Sequence, residues 1–280
     1  MSEDRDSKIR AYYAESEERE WLRLADGEGL VEFAITTHAL AEHLPKSGRV
    51  LDIGGGPGRY AIWLAQRGYQ VVLADLSPNL LDIARAEISK AGLEARIEAF
   101  VEADARDLNR WPDDAFDAVL SLGPFYHLPE LDDRHAAARE MARVLRPSGL
   151  AFVAFMPRYT FLRRTLAIAD ERQHLESPDW VTQLMSDGKF DNDRPGRFNA
   201  GYGAHPTEIE PFLTGHGFKS VALLAAESVA SGLGEQISEL ANTNPHTYRA
   251  ALDLMIQAAS DRSIHGTSNH LLYVGRKVAS

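Results

Sequence analysis

Cysteine is absent from the 280 residues. Disulfides, thiolate metal sites and a cysteine nucleophile are thereby excluded, and a cytoplasmic location is the expectation. Long apolar runs are missing too. Nothing approaches the ~18 residues that cross a bilayer. The opening MSEDRDSKIR is charged where a secretion signal has an apolar core. Positive charge is in deficit: 30 Lys and Arg stand against 41 Asp and Glu, a net charge of −11 with a pI near 5.4. Such a field repels nucleic acid. The one dense basic group, Arg158, Arg163 and Arg164, reads as a solvated helix face. The ten histidines show no HExxH or comparable spacing, so no metal site is expected. No repeat or low-complexity stretch breaks the chain, and 44% hydrophobic with 25% charged residues is an ordinary globular composition.

The stretch Arg49 to Tyr60, RVLDIGGGPGRY, organises the rest. Val50, Leu51 and Ile53 are the short apolar run of a buried parallel strand. Gly54, Gly55, Gly56, Pro57 and Gly58 follow, then a helix-like segment from Tyr60 to Arg67. Strand, tight glycine turn and helix together let a ligand approach bare backbone and present helix-start amides to it. The glycines read GxGxG at 54, 56 and 58. The dinucleotide fingerprint GxGxxG needs glycine at 59, where Arg59 stands. Asp52 at the strand end suits a ligand carrying an ammonium and a sulfonium better than a pyrophosphate. On these residues the chain resembles a class I S-adenosylmethionine-dependent methyltransferase, whose first motif reads acidic-x-GxGxG.

Further along, Gln70 to Ala74 is a second strand ended by Asp75, the position that takes ribose hydroxyls in nucleotide-binding folds. Leu76 is placed to pack on adenine, and Ser77-Pro78 starts the next helix, Asn79 to Lys90. Arg96 to Val101 is the third strand; by the resemblance, Asp104 binds the adenine amino group and the Ala105 amide a ring nitrogen. Ala115 to Ser121 is the fourth strand, and the loop after it, Leu122 to Leu128, faces the transferred methyl group in this architecture. Tyr126 and His127 are the candidates for acceptor binding or proton removal, His127 because imidazole titrates near neutrality. Bonding to the loop backbone is the alternative for His127. Leu122 and Gly123 border the cofactor through backbone. The resemblance also implies an N-terminal tyrosine over the methionine end, Tyr12 or Tyr13. Val144-Leu145-Arg146-Pro147-Ser148-Gly149 carries a further likeness to small-molecule members; Pro147-Ser148-Gly149 reads as a turn into strand five, Leu150 to Phe155.

The expected fold is α/β: a three-layer, doubly wound, seven-stranded mixed sheet, whose last strand, His270 to Arg276, is antiparallel by the resemblance. The expected division is a helical cap at 1–45, a cofactor-binding half at 46–156, a helical insertion of two or three helices at 157–205, and the rest of the core at 206–280. The insertion reads as a lid over the acceptor, with Tyr202 and His205 as lining candidates and helix capping the alternative for His205. The implied activity is in-line methyl transfer from S-adenosylmethionine to a small molecule through an O, N or C nucleophile, yielding S-adenosylhomocysteine. No nucleic acid or membrane partner is expected, and a homodimer stays open. An NAD-dependent oxidoreductase and a non-catalytic S-adenosylmethionine-binding protein are the alternatives.

Overall fold

In the computed structural model, which describes residues 17–192 and 200–279, the first strand sits in the middle of the sheet. The strands are β1 (Arg49–Ile53), β2 (Gln70–Asp75), β3 (Ile97–Glu102), β4 (Phe116–Ser121), β5 (Leu145–Pro157), β6 (Lys189–Asp191), β7 (Ala200–Ala204), β8 (Phe218–Ala225) and β9 (Leu271–Lys277). The main sheet runs β3-β2-β1-β4-β5-β9-β8, parallel through the first five positions and antiparallel at β9 and β8. Leu51 pairs with Val72 on one side and Val119 on the other. Period-two alternation divides these strands between two cores.

The helices are α1 (Glu17–Leu22), α2 (Glu28–His43), α3 (Arg59–Gln66), α4 (Pro78–Lys90), α5 (Leu131–Val144), α6 (Arg158–Ala167), α7 (Pro178–Thr182), α8 (Pro206–Thr214), α9 (Gly234–Thr243) and α10 (Pro245–Ala258). On one sheet face Leu51, Ile53 and Val119 meet Met141 of α5 and Leu213 of α8. On the other, Val50, Leu73 and Phe152 meet Leu40 of α2, Leu64 of α3 and Ile88 of α4. Outside that layer, Val31 and Ile35 on α2 bury against Ile237 of α9 and Met255 of α10. The doubly wound mixed sheet is the one that the apolar runs and the family resemblance together led one to expect.

Two departures have physical reasons. The Pro147-Ser148-Gly149 turn lies inside β5 rather than before it. Pairing with β4 jumps from Phe116↔Leu145 to Ala118↔Leu150, so residues 146–149 form a bulge in which Ser148 adopts φ 66°. The insertion also holds a hairpin. β6 pairs antiparallel with β7, and β7 continues the sheet beside the end of β5 through Met156↔Gly203 and Pro157↔Ala204. A Cβ at Gly203 would stand 2.5 Å from the Arg158 Cα, so this approach of strand to helix requires glycine.

Candidate active site

The C-terminal ends of β1, β2 and β4 open on a cavity of about 1090 Å³, its mouth included. Its floor is the glycine turn. Gly54, Gly56 and Gly58 take φ of 70°, 54° and 85°, and the Gly54 and Gly55 amides donate to the Ala74 carbonyl at 2.8 and 3.2 Å. A Cβ at Gly54 would meet the Pro124 ring at 2.6 Å, and one at Gly55 would meet Leu73 at 2.3 Å. The turn therefore lies pressed between β2 and the loop after β4.

Two carboxyls stand beneath it. Asp75 accepts from the Gly56 amide and the Ser77 amide, both at 2.8 Å, so it closes the turn and starts α4. Burial lifts its pKa to about 6 against the pull of those amides. Asp52 is fully buried, and neither of its oxygens has a hydrogen-bond partner among the described residues. Burial, then the charge of Asp75, raises it to about 7. A buried carboxyl with no donor is costly and calls for a cationic or donating partner.

Every residue assigned from the sequence to the cofactor or to the methyl transfer lines this one cavity except Tyr13, which lies outside the described residues, as does Tyr12. Asp52, Gly54, Gly55 and Gly56 come from the first turn, Asp75 and Leu76 from the end of β2, Asp104 and Ala105 from the segment after β3. Leu122, Gly123, Tyr126 and His127 come from the loop after β4. The Asp104 carboxylate is gripped by its neighbour: the Arg106 Nε lies 2.9 Å from both oxygens. Tyr126 donates to the Leu122 carbonyl at 3.2 Å, and its ring lies 5.0 Å from that of His127 and 5.6 Å from that of His270.

The cavity also holds Glu20, Arg23, Tyr60 and Arg106, which the pattern of the chain did not single out. Arg23 grips Glu32 of α2 through both terminal nitrogens, at 2.5 and 3.2 Å. Glu32 approaches His270 at 3.6 Å, and His270 Nδ1 lies 2.6 Å from Glu227. Glu227 also accepts from the Ser268 hydroxyl at 2.7 Å and the His270 amide at 2.8 Å. Burial opposes charge at both His270 and Glu227, yet their contact holds His270 above and Glu227 below their ordinary values. Glu32, Glu227 and His270 bring ligand-type atoms within 4.8 Å of one another. Arg23 and His270 balance the two carboxylates, so the cluster is complete as an ion-pair network. Burial raises Glu20.

The insertion contributes no described residue to this cavity. Tyr202 lines a second one, and His205 caps α8, with the Thr207 amide 3.4 Å from its Nδ1 and Glu208 accepting from its backbone amide at 3.1 Å. The expected solvated basic face is corrected. Arg158 is buried on Glu208 at 2.9 and 3.0 Å, Arg163 donates to Asn269 at 2.8 Å, and Arg164 pairs with Glu171 at 3.0 Å.

A family profile described as "Methyltransferase domain" matches residues 51–153, the segment that carries the turn, both buried carboxyls and the loop after β4. These residues form a class I S-adenosylmethionine-dependent methyltransferase domain. The domain is 42% identical over 121 residues to the methyltransferase GfsG of Streptomyces halstedii, covering 42% of this chain and 42% of that protein. It is 34% identical over 117 residues to the tRNA 5-carboxymethoxyuridine methyltransferase of Escherichia coli K12, covering 41% and 43%. The chain thus spans less than half the length of either. Among solved structures, the 1,6-didemethyltoxoflavin-N1-methyltransferase of Burkholderia thailandensis, holding 1,6-didemethyltoxoflavin and S-adenosylhomocysteine, superposes with a TM-score of 0.58 at 16% identity over 97% of this chain and 88% of that one. That likeness extends the methyltransferase fold beyond the matched segment. Among the described residues no helix is long and apolar enough to cross a membrane.

Proposed function

We propose that this chain transfers a methyl group from S-adenosylmethionine to a small-molecule acceptor in the cavity above the glycine turn. The observation that carries the reading is Asp52, a fully buried carboxyl without a partner beside that turn. A cationic ligand supplies what it lacks; a pyrophosphate does not. When bound, S-adenosylmethionine supplies an electrophilic methyl carbon on a cationic sulfur. The chain's own groups then hold and align. Asp75 has lone pairs left for ribose hydroxyls after its two amide bonds. Leu76 and Ala105 flank the base, and Asp104, braced by Arg106, takes its amino group. Glu20 and Arg23 bring one charge of each sign, complementary to an amino-acid end. Tyr13 is the candidate cover from the segment before α1.

The cavity would hold the acceptor's nucleophilic atom in line with the donor's carbon–sulfur bond, so that the methyl carbon could pass to it while the bonding pair stays on sulfur. Alignment of this kind is worth ~7–11 kcal/mol. The acceptor's proton passes to His127, with Tyr126 beside it; this adds ~10²–10⁴-fold for a hydroxyl or protonated amine. A small acceptor is favoured over tRNA by the net charge of −11. The engagement of Arg158, Arg163 and Arg164 with internal partners points the same way.

The test joins calorimetry to label transfer. S-adenosylhomocysteine binds and NAD gives no heat; tritiated methyl then appears in the low-molecular-weight fraction of an extract, not in tRNA. No heat with S-adenosylhomocysteine removes the cofactor assignment. Label only in tRNA removes the acceptor class, and binding without any transfer favours the non-catalytic alternative.

A further inference from the structure

A second cavity lies under the insertion and holds about 680 Å³, its mouth included. The segment after β4 divides it from the first. Tyr126 and His127 line the first cavity, whereas the Phe125 ring packs at 5.2 Å on Phe155 and 6.3 Å on Phe212, two walls of the second.

The wall carries two arginines, Arg134 and Arg158, and two carboxylates, Glu208 and Asp187, but only Arg158 and Glu208 are paired. Arg158 is neutralised by its two-pronged pair with Glu208. Arg134 of α5, 6% exposed, is not. Its Nη1 donates to the Leu128 and Pro129 carbonyls at 2.7 and 2.8 Å, and its guanidinium lies 3.5 Å over the Tyr202 ring. Among the described residues no carboxylate lies within ion-pair distance of Arg134; Glu130, Glu208 and Asp133 act on it from farther off, and its Nε and Nη2 make no hydrogen bond. Burial opposes its charge and draws its pKa below the usual arginine value. Taking one cation out of water without a counter-ion is unfavourable. The ring face of Tyr202 and the more distant carboxylates offset part of that; an anion in the cavity would offset more.

We propose that this cavity binds a small monocarboxylate with an apolar body, its carboxylate on the open edge of Arg134 and its body against Phe155, Ile209 and Phe212. One unpaired cation asks for one negative charge. A dianionic phosphate would set its second charge against Glu208 and the exposed Asp187, both in the wall. Arg134 also fixes the Leu128 and Pro129 carbonyls, so occupancy bears on the loop carrying Tyr126 and His127. The site does not depend on the methyl-transfer reading.

The experiment titrates the full chain at low salt with benzoate and with benzamide, its neutral counterpart, by ligand-observed NMR, with and without saturating S-adenosylhomocysteine. Two variants accompany it: Arg134→Gln, and Leu131→Glu, which adds negative charge to the wall at a half-exposed first-turn position that tolerates an acid. Benzoate should bind saturably, at least ~10-fold tighter than benzamide, and S-adenosylhomocysteine should leave it in place. Arg134→Gln should weaken benzoate ~10-fold or more and Leu131→Glu ~3-fold or more, the scale of a charge-assisted pair and of a nearby like charge. If Arg134→Gln does not fold, Leu131→Glu decides. Benzoate binding no tighter than benzamide, displacement by S-adenosylhomocysteine, or wild-type affinity in Leu131→Glu overturns the proposal.

Discussion

Asp75 accepts the Gly56 amide that shapes the ligand turn, and its charge adds to burial in lifting the Asp52 carboxyl to about 7. One carboxylate thus fixes the backbone of the site while holding the other partly protonated.

Cofactor affinity should therefore rise with pH. A cationic ligand favours ionised Asp52, so the free protein must release a proton on binding wherever Asp52 is protonated. Affinity for S-adenosylmethionine should climb from pH 5.5 to 8 and then level. In Asp52→Asn the climb should flatten, and the comparison cancels titration of the ligand itself. Parallel pH profiles in the two proteins would sink the assignment of Asp52 to the cationic end.

The same group makes a stability prediction of opposite slope. Its folded pKa, about 7, lies above its ordinary value of 3.8. A raised pKa contributes stability that is fully present below the unfolded value and lost as pH rises through the folded one. Without ligand, Asp52→Asn should come close to wild type near pH 4 and exceed it at pH 8, by on the order of 4 kcal/mol in urea denaturation. An equal gap at both pH values would contradict this.

Asp75→Ala should cost cofactor binding ~1.5–3 kcal/mol, the scale of hydrogen bonds to a charged group. It also frees the Gly56 amide, so the loss should sit at the upper end. Unchanged calorimetric affinity would remove Asp75 from the site.

His127→Ala should lower turnover ~10²-fold or more while leaving cofactor affinity near wild type. Equal losses in both measurements would make His127 a structural residue of the loop.

The Glu227–His270 contact should mark out a stability window. The Glu227 contribution is present above its ordinary value of 4.5 and lost as pH falls through its lowered folded pKa. The His270 contribution is present below 6.5 and lost as pH rises through its raised one. Glu227→Gln should cost about 3 kcal/mol between those limits, the scale of breaking a buried pair. The cost should shrink on either side. A pH-independent deficit would mean that packing, not charge, is what the substitution removes.

What the chain showed in advance follows from the physics of parallel strands. Strands buried on both faces read as plain apolar runs, so Val50–Ile53 and Val71–Ala74 stand out, and the polar residues that end them, with the glycines that turn them, mark the ligand side. Arg23 and Glu20 left no such mark, because α1 is short and mostly polar and Arg23 gains its meaning from Glu32 and a strand far along the chain. The β6–β7 hairpin escaped for a related reason. Ala200–Ala204 is AGYGA, poor in β-branched residues, and it is a strand because it lies beside the end of β5. Arg158 read as solvated because Glu208, its partner, lies 50 residues away.

The bond from the Asn269 side chain to Glu28 joins residues 241 positions apart, and Glu32, one turn on in α2, carries Arg23 on one side and approaches His270 on the other. During synthesis, then, the wall that Arg23 gives to the cavity lacks its last support until residue 270 has left the ribosome. A nascent chain holding every glycine and aspartate of the first 153 residues would still have an unfinished pocket, so ligand capture should be a late event in its birth.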